Sequence, residues 1–366
     1  MNIALSLLSG VRYGGVTYFE NLIPKLVEEG RAHTFHFFVS HGHPLMERVT
    51  SSRAVFHEVL GQNTSGLKRF LFEQVALPWK LKQLHIDIVY TAKNINVLFA
   101  PCKTVTAIRN VEPFVYAHYR NHWRLNILSK MKWMMTALSV RKADRIVAVS
   151  RGVKERVVER FPDAEGKTVV IYNGNPVTQA PQPAARQNFL LSASKFVAYA
   201  NQLNLIHGYA RLCERRLDVP PLKLAGGVHD KAYFESVQRA VRDHGLQKQI
   251  EFLGLVPQKD LFELYAQARA FVFPSTLEAC PHTLIEVMAC GTPVCTTTHQ
   301  PMPEICKDGA VYVEAFDPKS IADGLEKVLF DEDVRTRITR AALERQKDFD
   351  WTKTARQLIQ LFDRMV

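Results

Sequence analysis

The stretch FVFPSTLEACPHTLIEVMACGTPVCTTTHQPMPE, residues 271–304, decides how the rest of the chain is read. It begins as a buried strand over Ala270 to Phe273 and breaks at Pro274-Ser275. A polar loop follows, then an apolar helix from about Thr283 to Ala289, which Gly291-Thr292-Pro293 ends. Val294 to Thr297 reads as the next strand. Two carboxylates, Glu278 and Glu286, flank the turn with seven residues between them. A strand, an acid-bearing turn and a helix N-terminus are how an open parallel sheet builds a site for anions and sugars.

Working outward, the same alternation recurs along the chain. Asn2 to Leu8 reads as a strand, followed by a glycine loop (Gly10, Gly14, Gly15). Apolar residues from Val16 to Val27 then fall at helical spacing up to a stop at Gly30, and His33 to Val39 is a second strand. This is a βαβ unit. Further on, the pattern predicts a helix over about 67–84, strands at Ile86 to Tyr90 and Thr104 to Ile108, and a helix over 121–142. A strand at Arg145 to Val149, a helix capped by Ser150 and a strand at Thr168 to Tyr172 close this half. Residues 173–188 hold Asn-Gly and three prolines in a polar run, a linker signal. After it come strands at Phe189 to Ser192, Leu222 to Ala225 and Ile250 to Leu253, then the opening stretch, and helices near 319–330, 333–348 and 352–365.

The expected organisation is therefore α/β, with two Rossmann-like domains: residues 1–175, a linker at 176–188, and residues 189–348. The last helix, in 349–366, is expected to pack back on the first domain. Two doubly wound halves place a ligand in a cleft that the carboxyl ends of both sheets face.

Composition narrows the function classes. The 366 residues call for more than one core. A net charge of +11 favours anionic partners, yet no recognised nucleic-acid module appears. The six cysteines form no CxxC pair, which reads as reduced thiols in a cytosolic compartment. No Cys/His cluster has ligand spacing, and no DxD of the kind metal-dependent sugar transferases use appears, so no metal is expected. Met1 to Leu8 is too short to span a bilayer and lacks a preceding basic region, and no window approaches about 18 apolar residues. Membrane contact would be peripheral. Two basic, aromatic segments fit it: LKRFLFEQVALPWKLK (67–82) and YRNHWRLNILSKMKWMMTALSVRK (119–142). Both also read as core-facing helices with a solvated basic face.

Single residues carry two readings each. Thr283-Leu284-Ile285-Glu286 fits a capping box, while Glu286 would equally accept hydrogen bonds from the vicinal hydroxyls of a ribose. Glu278 reads as a solvated loop acid or as a ligand to a sugar. Arg109 reads as a loop cation paired with Glu112 or as an anion ligand, and His118 as a hydrogen-bonded, partly buried ring rather than a base.

The stretch SxxE-ACPHTLI-E-VMACGTPV resembles the signature of the family 4 glycosyltransferases, retaining enzymes of the GT-B fold. GGVTYFENLI, ADRIVAVSRGVKERV, IYNGNP and IEFLGLVPQKDLFELYAQARAFVFPS resemble other segments of that family, so the likeness covers nearly the whole chain. It implies a nucleotide-diphosphate sugar, UDP- or GDP-linked, as donor, a glycan or lipid-linked acceptor, and no other cofactor. It implies that Glu286 binds the donor's ribose and Glu278 the donor sugar, with backbone N–H groups of His282, Thr283 and Leu284 on the sugar or diphosphate. Leu255 and Val256 would line the base pocket, and Gly14 and Gly15 would let the first loop approach the diphosphate. Two cations are implied after the first strand of the second domain: Lys195 stands at one place, and Ala200, beside Asn201, at the other. Lys223, Arg109 and Arg12 are the cations available to replace the second. Where many members carry His then Asp, this chain has Arg109-Asn110-Val111-Glu112. The implied setting is bacterial lipopolysaccharide, O-antigen or exopolysaccharide assembly, at the cytoplasmic face of a membrane. A nucleotide-sugar epimerase, a phosphorylase and a non-catalytic sugar-nucleotide binder are the alternatives.

Overall fold

The computed structural model describes residues 1–8, 14–115, 123–177, 181 and 186–366. His118, Arg12, Gly10 and parts of 119–142 and of the 176–188 linker lie outside the described residues. The chain divides into two units, Met1–Pro176 with Phe349–Val366, and Val177–Asp348.

In the first unit the described strands are β1 (Asn2–Ser6), β2 (Thr34–Ser40), β3 (Ala54–Leu60), β4 (Ile88–Thr91), β5 (Lys103–Ile108), β6 (Arg145–Ala148) and β7 (Thr168–Val170). They form one parallel sheet in the order β3-β2-β1-β4-β5-β6-β7. The helices are α1 (Gly14–Glu29), α2 (Leu45–Arg48), α3 (Gly66–Leu71), α4 (Leu77–Gln83), α5 (Glu112–Val115), α6 (Trp123–Lys142) and α7 (Arg151–Arg160). Runs such as Phe35, Phe37, Phe38 and Val39 are buried on both faces of the sheet, as a covered parallel sheet requires. α1 stops at Gly30, where a Cβ would stand 2.6 Å from the Phe35 ring. Ser150 caps α7 by accepting the Val153 N–H at 3.1 Å.

Two features were not legible. The edge strand β3 is only half buried along its length, so AVFHEVL shows no clean alternation. The helix expected over 67–84 is broken by a π-turn, Phe72–Ala76, between α3 and α4. The wide turn sends Glu73 inward. Its carboxylate accepts from Ser6 Oγ at 2.7 Å and pairs with Lys93, at the carboxyl ends of β1 and β4.

The last helix, given as α15 below, belongs to this unit. α8 to α14 lie in the second: α8 (Gln202–Arg215), α9 (Lys231–Asp243), α10 (Gln258–Gln267), α11 (His282–Ala289), α12 (Met302–Cys306), α13 (Pro318–Phe330) and α14 (Glu332–Arg345). α15 (Trp351–Asp363) shares a core with α1, bringing Leu358 and Phe362 together with Leu22 and Leu26. Arg356 donates to both oxygens of Glu29, at 2.7 and 3.2 Å.

The second unit's sheet runs β10-β9-β8-β11-β12-β13, again parallel. Its strands are β8 (Leu190–Ala193), β9 (Leu222–Ala225), β10 (Ile250–Gly254), β11 (Ala270–Phe273), β12 (Val294–Thr297) and β13 (Val311–Val313). The winding direction reverses between β8 and β11. In such sheets ligands bind outside the carboxyl ends of the strands at that reversal.

Candidate functional site

The loops leaving β8 and β11 meet at the reversal and are stitched together. The Thr276 N–H donates to the Tyr199 carbonyl at 2.8 Å, and the Thr276 hydroxyl to the same oxygen at 3.0 Å. Asn201 adopts a left-handed backbone at φ 61°. Its amide donates to the carbonyls of Pro274 at 3.2 Å and Ala315 at 2.6 Å. Asn201 thus ties three loops, and its donors are engaged within the protein. Lys195 sits in the same loop with its ammonium 5.0 Å from the centre of the Tyr199 ring. Ala200 is buried, so that position does not present a side chain to solvent.

Across from them stand the two acids. Glu278 is partly buried and accepts from Ser275 Oγ at 2.9 Å, so it is an oriented carboxylate rather than a freely solvated one. Glu286 is 6% exposed. The capping box expected of Thr283 and Glu286 does not form. α11 starts one residue earlier, at His282, with Pro281 as an N-cap that gives no side-chain bond. With Pro281 as N-cap, Thr283 falls at the second helical position and Glu286 at the fifth, so neither occupies its place in the box. Glu286 instead faces Gln258 on α10 and Tyr265. Burial pushes its carboxyl up to about 7, and the polar groups of Gln258 and Tyr265 nearby counter only part of that. The Tyr265 hydroxyl is itself buried, facing Thr283 and Glu286. Gln258 and Tyr265 were not legible as site residues. Their types are ordinary, and only the packing of α10 on α11 brings them to the acid.

The first turn of α11 points its leading N–H groups outward from the strand end. Of the three expected donors, the Leu284 N–H bonds the Pro281 carbonyl at 3.1 Å, and His282 and Thr283 are the first two residues of the helix. At the same end of the sheet, Leu255 follows β10 and is 69% exposed, beside partly buried Val256. Gly254 turns there at φ 66°, and Gly226, after β9, has its Cα against Ser194: a Cβ would stand 1.9 Å from the Ser194 carbonyl. Lys195, Asn201, Leu255, Val256, Glu278, His282, Thr283, Leu284 and Glu286 therefore share one end of one sheet. Lys223 does not join them; it lies within β9 and pairs with Glu251 at 3.6 Å.

Gly14, Gly15 and Arg109 belong to the first unit. Gly14 and Gly15 are not in a loop, as expected, but form the first turn of α1, where helical backbone needs no positive φ. Arg109 lies with its guanidinium carbon 3.8 Å from the centre of the Tyr18 ring. Its backbone N–H donates to Asn94 Oδ1 at 3.0 Å, and Tyr18 and Tyr90 share a buried hydroxyl contact of 2.5 Å. Among the described residues no group of three His, Cys, Asp or Glu side chains could hold a metal ion.

Sequence comparison matches the "Glycosyltransferase Family 4" model over residues 13–178 and the "Glycosyl transferases group 1" model over residues 177–345. The chain belongs to the family 4 glycosyltransferases. It is thus a transferase of the GT-B fold. It is 27% identical over 348 residues to O-antigen chain mannosyltransferase B of Escherichia coli, covering 87% of this chain and 86% of that protein. It is 27% identical over 242 residues to N-acetylgalactosamine-N,N'-diacetylbacillosaminyl-diphospho-undecaprenol 4-alpha-N-acetylgalactosaminyltransferase of Campylobacter jejuni, 64% of each chain. Among solved structures, Anabaena Alr3699/HepE in complex with UDP and glucose superposes with a TM-score of 0.73 at 17% identity, over 100% of each chain. A glycosyltransferase from Rickettsia africae gives 0.72 at 19% identity, over 99% of this chain and 98% of that one. At such identities the structures speak to the fold alone.

Proposed function

We propose that this glycosyltransferase moves a sugar, with retention at the anomeric carbon, from a UDP- or GDP-linked donor to a hydroxyl of a glycan or lipid-linked acceptor in bacterial surface-polysaccharide assembly. The observation that carries this reading is the turn between β11 and α11, which holds Glu278 and buried Glu286 around a helix N-terminus at the sheet's reversal. In this scheme Glu286 accepts from the ribose hydroxyls, Glu278 orients the donor sugar, and Leu255 and Val256 flank the base. Lys195 and the His282 and Thr283 N–H groups carry the charge of the diphosphate. Gly14, Gly15 and Arg109, which lie in the first unit, are proposed as donor ligands on the resemblance to the family. The bond from the anomeric carbon to the phosphate oxygen breaks as the acceptor oxygen attacks from the same face, and the acceptor's proton passes to the departing phosphate. No metal ion or other cofactor takes part. A mannosyl donor is the first to try, since O-antigen chain mannosyltransferase B is matched over most of its length.

The acceptor's surroundings enter through the first unit. Leu67, Leu71, Val75 and Trp79 recur every four residues and are all exposed, with Lys68 and Lys82 among them. In a regular helix that spacing drifts by about 40° per step. The π-turn at Phe72–Ala76 takes up part of the drift. On α6, Met131, Trp133 and Met134 are exposed beside Lys130 and Lys132. Exposed apolar side chains beside cations, in each of the two segments, fit an anionic bilayer, so we assign the enzyme to the inner face of the cytoplasmic membrane as a peripheral protein. Among the described residues no helix is long and apolar enough to cross a membrane.

The test is incubation with labelled nucleotide sugars and a lipid-linked acceptor, with proton NMR of the product. A new glycoside of unchanged anomeric configuration is expected. Inversion, or epimerised or phosphorolysed sugar without glycoside, would overturn the reading. Nucleotide binding with no turnover would favour the non-catalytic alternative that Ala200 suggests.

A further inference from the structure

A cavity of about 720 Å³ lies at the other end of the second unit's sheet. Arg269 and Pro293 line it and directly precede β11 and β12, and Arg186 lies just before β8. The acidic turn leaves the opposite end of the same strand, β11. Arg335, Thr336, Thr339 and Arg340 complete the lining from one side of α14.

The charge there is unbalanced. Four guanidiniums line the cavity with one carboxylate, Glu332, which pairs with Arg335. Other hydrogen bonds of Arg186, Arg269 and Arg335 end on neutral acceptors. Arg186 donates to the carbonyls of Ala266 at 3.2 Å, Ala268 at 3.1 Å and Gly291 at 2.5 Å, and to Thr292 Oγ1 at 3.0 Å. Arg269 donates to Asn188 Oδ1 and the Leu329 carbonyl, both at 2.9 Å, and Arg335 to the Leu329 carbonyl at 3.0 Å. Neutral acceptors satisfy N–H groups and hold the guanidiniums rigid, but they cancel no charge. Burial, and then repulsion from a neighbouring arginine, lowers the pKa of Arg335; Arg335 in turn acts on Arg186.

We propose that this cavity is a second ligand site, which binds a small polyvalent phosphate anion independently of the donor turn. Its volume is that of a small-molecule pocket. Its pre-oriented guanidiniums and two threonine hydroxyls are donors suited to phosphate oxygens. The ligand is either an inorganic polyphosphate or the diphosphate of a nucleotide.

The experiment titrates inorganic pyrophosphate into the full chain by calorimetry at 0.15 M salt, alone and with saturating nucleoside diphosphate, for the wild type, Thr336→Glu and Arg340→Gln. Thr336 and Arg340 are exposed on α14, so neither change disturbs the core. The wild type should bind pyrophosphate saturably, and occupancy of the donor turn should leave one site per chain still available. Thr336→Glu, which puts a carboxylate among the arginines, should weaken that site roughly tenfold or more and raise the melting temperature of the unliganded protein. Arg340→Gln should weaken it several-fold, and both variants should keep transferase activity. Should saturating nucleoside diphosphate compete with pyrophosphate at this site in the wild type but not add a Thr336→Glu-sensitive site elsewhere, the nucleotide's diphosphate is the ligand. Absence of a Thr336→Glu-sensitive site, or pyrophosphate binding confined to the donor turn, would overturn the proposal. Loss of transfer chemistry in the wild type would instead count against the proposed function and leave this result untouched.

Discussion

The two units share one architecture, a parallel sheet wound in both directions, yet distribute their side chains in opposite ways. In the second unit the decisive polar groups are inside. α11 buries Leu284, Ile285, Val287 and Met288, and with them Glu286. In the first unit the distinctive residues are outside: Leu67, Leu71, Val75 and Trp79 stand in solvent among lysines. The same fold thus holds a desolvated acid in one unit and an exposed apolar, basic surface in the other. The topology fixes where a site lies, and the burial of a few residues fixes what kind of site it is.

The strongest way to break this contrast is Glu286→Ala. Given its proposed role as a donor ligand, removing this buried group should lower kcat/KM for transfer by roughly 100-fold, or about 3 kcal/mol, with the far-UV spectrum unchanged. A loss below about threefold in steady-state assays would mean that the acid is structural.

Next in size is the pH response. Because burial raises the Glu286 carboxyl from 4.5 to about 7, the fold favours its neutral form. That contribution to stability is complete below the ordinary carboxyl range and is lost as pH rises through about 7. It amounts to at most about 3 kcal/mol. Glu286→Gln cannot ionise, so denaturant titrations should show it gaining on the wild type between pH 5 and pH 8. Nucleotide binding runs the other way. In the proposed role ribose hydroxyls donate to the ionised acid, so wild-type affinity should rise over that interval, with proton release near pH 6.5 measurable in buffers of different ionisation enthalpy.

On the first unit, Val75→Ser with Trp79→Ala removes two exposed apolar groups. Sedimentation with vesicles containing anionic lipid should show binding weakened roughly tenfold, and vesicles of neutral lipid should bind neither protein well. Activity on a short water-soluble acceptor should stay the same. The smallest effect is expected at Ser275→Ala, which removes one hydrogen bond to Glu278. A loss of about 1 kcal/mol corresponds to a several-fold lower kcat, and Ser275→Thr should restore part of it.

Much of the second unit was legible because its strands and helices are short, apolar and separated by glycine, proline and asparagine. The pair of acids was visible as a spacing, and the helix start was displaced by only one residue. What the sequence did not reveal depends on tertiary packing. Gln258 and Tyr265 reach Glu286 only once α10 lies on α11. Glu73 reads as one more polar residue in a basic helix until the π-turn rotates it toward Ser6 and Lys93. The arginine cavity is assembled from residues as far apart in sequence as Arg186 and Arg340, with no local motif. The capping-box expectation failed because α11 starts at His282, which places Thr283 and Glu286 inside the helix rather than at its N-cap and third positions.

One comparison separates a ligand role for Glu286 from a structural one: calorimetric titration of UDP and GDP into wild type and Glu286→Gln at pH 8. A ligand role predicts that the variant, although more resistant to denaturant, binds the preferred nucleotide at least roughly tenfold more weakly. Equal affinity for both nucleotides in both proteins would contradict it.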